Sequence, residues 1–234
     1  MKNTVILILF FLFTPLSNAQ VITHSHLCDY FEVDAILFDY QTISADNSDK
    51  SGESYQFFTG RPAINFCFAS QNYIFRPSIS INIYESSTNG SISVGKLINN
   101  SYEFGIYLSL NRREETSGSG TSNYKLISSN LLLGPYLKIF HSLLEENDLE
   151  FTTRISYLYY DQRTTTNGAK TLITEQKGVN LYFEELYAKK ITSHLFFIPH
   201  ASIYYAYTYD TVGVESGRNT VDFKFFPFSL RWVF

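Results

Sequence analysis

The sequence predicts an all-β fold, an antiparallel up-and-down β-barrel of ten strands that crosses a membrane. Three observations predict it. Apolar and polar residues alternate with period two along most of the chain, no stretch beyond the first twenty residues approaches the length of a spanning helix, and the last alternating run ends on an aromatic residue. Successive side chains of a strand point to opposite faces, so alternation marks a strand with two unlike faces. Without spanning helices, a membrane protein is left with a closed barrel, because lipid offers no partner to an open strand edge.

The first residues stand apart from the fold. Lys2 supplies a positive start, Val5 to Phe13 is an unbroken apolar run, and Ser17-Asn18-Ala19 places small residues before Gln20. This reads as a cleaved secretory signal peptide over 1–19, with the barrel over 20–234. The apolar run is about half of the ~20 residues that a membrane anchor needs. Cys28 lies too far past the cleavage site for a lipoprotein signal. An exported chain of this kind is expected in the outer membrane of a Gram-negative cell envelope.

Composition agrees. Tyr (18) and Phe (21) are abundant, and charged residues make up 17%, against about 25% in soluble domains. Mean hydropathy is close to zero, the average expected when lipid-facing and lumen-facing residues take turns. The net charge of −4 gives no reason to expect nucleic acid as a partner.

The elements follow in order. Ten strands are predicted near 30–42, 55–69, 73–85, 89–98, 102–113, 123–140, 149–161, 172–187, 194–209 and 220–234. The clearest is the fifth, where Tyr102, Phe104, Ile106, Leu108 and Leu110 oppose Glu103, Gly105, Tyr107, Ser109 and Asn111. Ile79, Ile81 and Ile83 likewise oppose Arg76, Ser78, Ser80 and Asn82. Phe151, Ile155, Tyr157 and Tyr159 oppose Glu150, Thr152, Arg154 and Ser156. Leu195, Phe197, Ala201, Ile203, Tyr205 and Tyr207 oppose His200, Ser202, Tyr204 and Ala206. Long polar connections at 43–53, 85–90, 114–122, 162–171 and 210–219 alternate with short ones at 70–72, 99–101, 141–147 and 189–193. That asymmetry is the one expected of long outer loops and short periplasmic turns, with both termini on the periplasmic side. Residues 30–42 alternate poorly, so eight strands with an N-terminal segment outside the wall is the competing count. In the ten-strand arrangement Cys28 and Cys67 both fall at the periplasmic end of adjacent strands, which makes a disulfide between them possible; two unpaired thiols are the alternative.

In the last strand Phe226, Phe228, Leu230, Trp232 and Phe234 are expected to share one face, and Phe228, Leu230, Trp232 and Phe234 resemble the C-terminal insertion signal of outer-membrane barrels. The run Val94-Gly95-Lys96-Leu97-Ile98-Asn99-Asn100-Ser101-Tyr102-Glu103-Phe104-Gly105-Ile106 resembles a strand–turn–strand of the small bacterial outer-membrane β-barrel domain proteins, with Lys96 in place of the usual aromatic. Leu133-Gly134-Pro135-Tyr136-Leu137-Lys138-Ile139-Phe140 resembles the strand that follows in that family. The resemblance covers roughly residues 73–234. It implies a membrane-embedded and mostly non-enzymatic barrel, handled by the barrel-assembly machinery during biogenesis and surrounded by outer-membrane lipid.

The inward faces are expected to carry a polar network of Arg76, Glu103, Lys138, Glu150, Arg154, Glu184, His200 and Arg231. With both signs present, these groups can pair and fill a narrow bore; a porin-like path for small solutes is the alternative. Outward faces end in Tyr157, Tyr159, Tyr205 and Tyr207, with Tyr182 nearby, as in the aromatic girdles of membrane barrels. His200 and Ser202 share a strand face, an arrangement similar to that of some outer-membrane lipid deacylases, with Glu215 as the third group. However, Ile203 stands where that family has Asn, and both side chains are expected to point away from lipid. No catalytic, cofactor or metal site is therefore assigned: no Cys/His cluster has zinc spacing, no Gly-rich loop is phosphate-binding, and Asp46, Asp49 and Glu53 are scattered along one connection. The expected protein is a monomeric, non-enzymatic barrel with a structural or surface-interaction role.

Overall fold

A computed structural model describes residues 30–45, 52–58, 63–70, 72–82, 87–98, 101–119, 122–144, 147–166, 169–212 and 217–234. The signal segment 1–19, Cys28, Asp46, Asp49 and Glu215 lie outside the described residues.

The described chain forms twelve strands: β1 (Tyr30–Ala45), β2 (Gly52–Phe58), β3 (Ala63–Ser70), β4 (Tyr73–Asn82), β5 (Ser87–Ile98), β6 (Tyr102–Ser119), β7 (Ser122–Leu144), β8 (Asn147–Thr166), β9 (Ala169–Lys190), β10 (Leu195–Phe197), β11 (His200–Asp210) and β12 (Gly217–Val233). All pairings are antiparallel between neighbours, and β12 returns to pair with β1, which closes the ring. β2 and β3 pair with the upper and lower halves of β1 and occupy one place in the wall. β10 and β11 both lie between β9 and β12 and occupy another. The twelve segments thus make ten wall positions, as the alternation predicts. β1 belongs to the wall along its full length, from Tyr30↔Val233 to Ala45↔Arg218, which removes the eight-strand arrangement.

The poor alternation of residues 30–42 has a structural cause. The β1–β12 ladder shifts register twice between Asp34 and Phe38. On the partner side, Ile198–Pro199 opposes Pro227–Ser229 between the pairs Phe197↔Leu230 and His200↔Phe226. Pro227 has no N–H to give the ladder, and prolines sit in sheets at such bulges. An extra residue in a period-two strand exchanges its faces. Phe228, Leu230, Trp232 and Phe234 therefore point outward, whereas Phe226 turns into the lumen and stacks on His200 with centroids 4.2 Å apart. The expected single face for Phe226 and Phe228 is corrected accordingly.

Several predicted connections are also corrected, among them 85–90, of which 87–90 belong to β5, and 141–147, of which 141–144 belong to β7 and 147 to β8. Residues 114–119 and 122 belong to the β6–β7 hairpin, and 162–166 and 169–171 to the β8–β9 hairpin. Their Ser/Thr-rich composition resembles loop, but the ladders continue, to Ser119↔Ser122 and to Thr166↔Ala169. Outward charges join the first hairpin, with Arg112 and Lys125 both on Glu114 at 2.6 and 2.5 Å.

The ring is inside out relative to a soluble protein. Phe68, Phe75, Ile79, Ile81, Val94, Phe104, Ile106, Leu110, Leu133, Ile155, Val179, Phe183, Val221, Phe225, Phe228, Leu230 and Trp232 are exposed on its outer surface. The buried residues include many polar and charged ones, among them Glu103, Glu150, Asn180, Ser229 and Arg231.

Candidate functional site

The lumen is organised in layers. At the end of the ring where β1 starts and β12 ends, Tyr30, Cys67, Ile74, Phe140, Leu186, Ala188, Phe196, Ile198 and Val233 form one buried apolar cluster. Cys67 is fully buried within it, opposite Tyr30 in the ladder. The proposed disulfide depends on Cys28, outside the described residues.

Next to this apolar layer sits an ionic one. Arg231 donates from Nε to Glu32 at 2.9 Å and from Nη1 to Glu150 at 2.6 Å. Its guanidinium lies 4.0 Å from the Tyr30 ring centroid. Lys138 donates to the second oxygen of Glu150 at 3.0 Å. Glu32 also accepts from Asn65 at 3.1 Å. On the other side of the bore Glu103 accepts from both Arg76 and the Tyr136 hydroxyl. Arg231 and Glu150 are almost wholly buried, at 1% and 2% exposure, and Glu103 is at 0%. Charges so buried persist only when they are paired and hydrogen-bonded. Arg231 binds partners 199 and 81 positions away, and so ties β12 both to β1 across the closure and to β8 across the bore.

Glycines make room for this layer. Gly95 and Gly105 are ladder partners, and Tyr136 follows Gly105 in the next ladder. A Cβ on Gly95 would meet the Tyr136 hydroxyl and Glu103, and one on Gly105 would meet the backbone of Val94 and Gly95 and the Tyr136 ring. The tyrosine ring thus lies in a slot that only two glycines leave open, which lets its hydroxyl reach Glu103. Gly95 and Gly105 of one sequence motif and Tyr136 of the other are parts of one contact. Lys96, standing where the motif has an aromatic, is exposed on the outer surface.

Beyond the ionic layer the lumen holds a cavity of about 550 Å³. Asn65, Ser78, Asn89, Ser91, Ser93 and Ser109 line one side of it, and Arg154, Tyr182, Glu184, Ser202, Tyr204 and Asp222 the other. The Arg154 guanidinium is clamped between Tyr107 and Tyr182, 3.6 and 4.2 Å from their ring centroids. Tyr182 is thus a lumen residue, not a neighbour of the outer aromatics; it pairs with inward Arg154 and Tyr204 in its ladders. All eight residues of the sequence-derived polar network face the lumen: Arg76, Glu103, Lys138, Glu150 and Arg231 form the ionic layer, of which Arg76, Lys138 and Arg231 also line the cavity, and Arg154, Glu184 and His200 line the cavity outside that layer. Glu32, Asp34 and Asn65 were not in that set, because β1 and β3 alternate least cleanly. Asn65 bridges Glu32, Asp34 at 3.3 Å and Ser78 at 2.6 Å.

His200 and Ser202 are both buried and inward. The imidazole stacks on Phe226, and its Nδ1 lies 3.4 Å from the Ile198 carbonyl and 3.5 Å from Ser229 Oγ. Among the described residues no three His, Cys, Asp or Glu side chains converge as a metal site, and no helix is long and apolar enough to cross a membrane.

No protein-family model matches the chain, and no curated protein does. Among solved structures the chain is similar to the outer membrane protease OmpT from Escherichia coli (10% identity, 92% of this chain and 100% of that one, TM-score 0.49). It is also similar to the translocator domain of the autotransporter NalP from Neisseria meningitidis (8%, 100% and 95%, 0.45) and to Neisserial surface protein A (14%, 87% and 97%, 0.33). The chain's own ladders close its ring, through β12 on β1.

Proposed function

We propose that the chain is a monomeric outer-membrane β-barrel, exported through a cleaved signal peptide, with a structural or surface-interaction role and no enzymatic activity. The single observation that carries the membrane reading is the outer belt of exposed Phe, Ile, Leu and Val side chains around a ring whose charges are inside. Soluble monomers rarely expose apolar patches beyond a few hundred Å², and in lipid the same belt is satisfied. A closed ladder has no open edge and needs no second copy.

The non-conducting reading is supported by the two layers at the end where β1 starts and β12 ends, where the apolar cluster and the Arg231–Glu150–Lys138 network occupy the bore. The non-enzymatic reading is supported by the surroundings of His200, whose ring is held against Phe226 inside the lumen, away from lipid. The projecting hairpins of β6–β7 and β8–β9 are the natural place for a surface partner. Detergent extraction and heat-dependent gel mobility test membrane residence; a mature chain soluble without detergent overturns it. Planar-bilayer recordings test conduction, and stable single-channel steps would establish the narrow-porin alternative. Comparing lipid A by mass spectrometry between native and Ser202→Ala strains tests catalysis; the expected profiles are identical, and a difference would show a lipid-modifying enzyme.

A further inference from the structure

We propose that the internal cavity is a binding site for a small zwitterion, a solute with one carboxylate and one ammonium such as a free α-amino acid. Its volume, about 550 Å³, lies within the ~300–1,000 Å³ usual for small-molecule sites.

Among the described cations that line the cavity, Arg76, Lys138, Lys224 and Arg231 each hold a carboxylate within ion-pair distance. Arg154 lines the same cavity and has no carboxylate partner among the described residues, and its Nε is buried without a hydrogen bond. Two tyrosine faces hold the guanidinium in place. Tyr107 is reached across β7 at Gly134, its ladder partner, where no side chain intervenes. The cation–π contacts stabilise the charge but supply no lone pair, so among the described residues the guanidinium N–H groups are left for an acceptor in the cavity.

Glu184 lines the cavity beside it and has no ion pair among the described residues. Arg154 pairs with Tyr182, and Thr152 with Glu184, so the two charges occupy diagonal positions on β8 and β9. Diagonal neighbours lie about 7–8 Å apart, and no salt bridge closes that gap. Asp34 lines the cavity as well, with its Oδ1 buried and unpartnered.

A simple anion entering here meets Glu184 and Asp34, and a simple cation meets Arg154. A solute with both charges answers both: its carboxylate accepts from the Arg154 edge, and its ammonium donates to Glu184. Each contact is charge-assisted, the stronger kind of hydrogen bond. The facing wall of Ser78, Ser91, Ser93, Asn65 and Asn89 offers neutral donors and acceptors to a polar side chain.

The test is isothermal titration of the full mature barrel, folded in detergent, with L-serine, 3-hydroxypropanoate and ethanolamine. The second probe lacks the amine and the third the carboxylate. L-Serine is expected to bind saturably and at least about tenfold more tightly than either. Arg154→Gln should weaken L-serine and 3-hydroxypropanoate but leave ethanolamine unchanged; Glu184→Gln should weaken L-serine and ethanolamine only. Heat-dependent mobility of each protein shows that the barrel is folded, so loss of the membrane fold is distinguished from loss of the site. A folded native barrel that binds no L-serine, or binds 3-hydroxypropanoate equally well, overturns the assignment.

Discussion

Replacing Arg231 with methionine probes the contact that ties the closure together. The guanidinium is 1% exposed and donates to Glu32 at 2.9 Å and Glu150 at 2.6 Å. Methionine keeps much of the volume but donates nothing, so both carboxylates lose a charge-assisted partner in place. Removing one member of a buried ionic network costs about 3–5 kcal/mol, most of it the uncompensated charge left behind. Here Glu150 keeps Lys138 at 3.0 Å and Glu32 keeps Asn65 at 3.1 Å, which places the expected loss near the lower value, ~3 kcal/mol. Adding Glu32→Gln removes one uncompensated charge and should recover about 1 kcal/mol. The assay is urea unfolding of the barrel in phospholipid vesicles. Trp232 is the chain's single tryptophan and points outward beside Arg231, so its fluorescence reports the same region. An Arg231→Met barrel within ~0.5 kcal/mol of native, the range of an ordinary surface change, would refute the reasoning.

Three further outcomes follow from the same geometry. Gly105→Ala should destabilise by ~1–3 kcal/mol, because its Cβ is driven against the Val94 and Gly95 backbone, whereas Gly90→Ala, with open space at its Cβ, should cost little in the same urea assay. Tyr136→Phe leaves the buried Glu103 without one donor and should cost about 1.5–3 kcal/mol by equilibrium unfolding. At the β6–β7 hairpin, the hydrogen bonds from Lys125 and then Arg112 hold the Glu114 carboxyl below its usual range. A lowered folded pKa means that the contact is complete above the ordinary value of 4.5 and is lost as pH falls through the lower one. Amide exchange at the hairpin tip should therefore quicken relative to the wall only under strongly acidic conditions, and Glu114→Gln should abolish that step.

What the sequence determined by itself was the class of fold and the side of the wall on which most residues stand. Period-two alternation is a local property, since a strand's own pleat sends Glu103, Tyr107 and Ser109 one way and Phe104, Ile106 and Leu110 the other. Strand number followed from the same pattern, and so did the inward set of charges. The hairpin extensions of β6 to β9 were not legible, because Ser/Thr-rich residues serve loops and paired strands equally and only the ladder distinguishes them. Tertiary structure alone decided the rest. The face of Phe226 depends on the bulge at Pro227, whose register is set by β1 and β10. The pairing of Arg231 with Glu32 and Glu150 depends on ring closure, which brings together groups that no local spacing relates. Arg154 and Glu184 were legible as lumen charges, but that they stand diagonally on a shared cavity, without an ion pair among the described residues, is a consequence of register between strands, a non-local quantity.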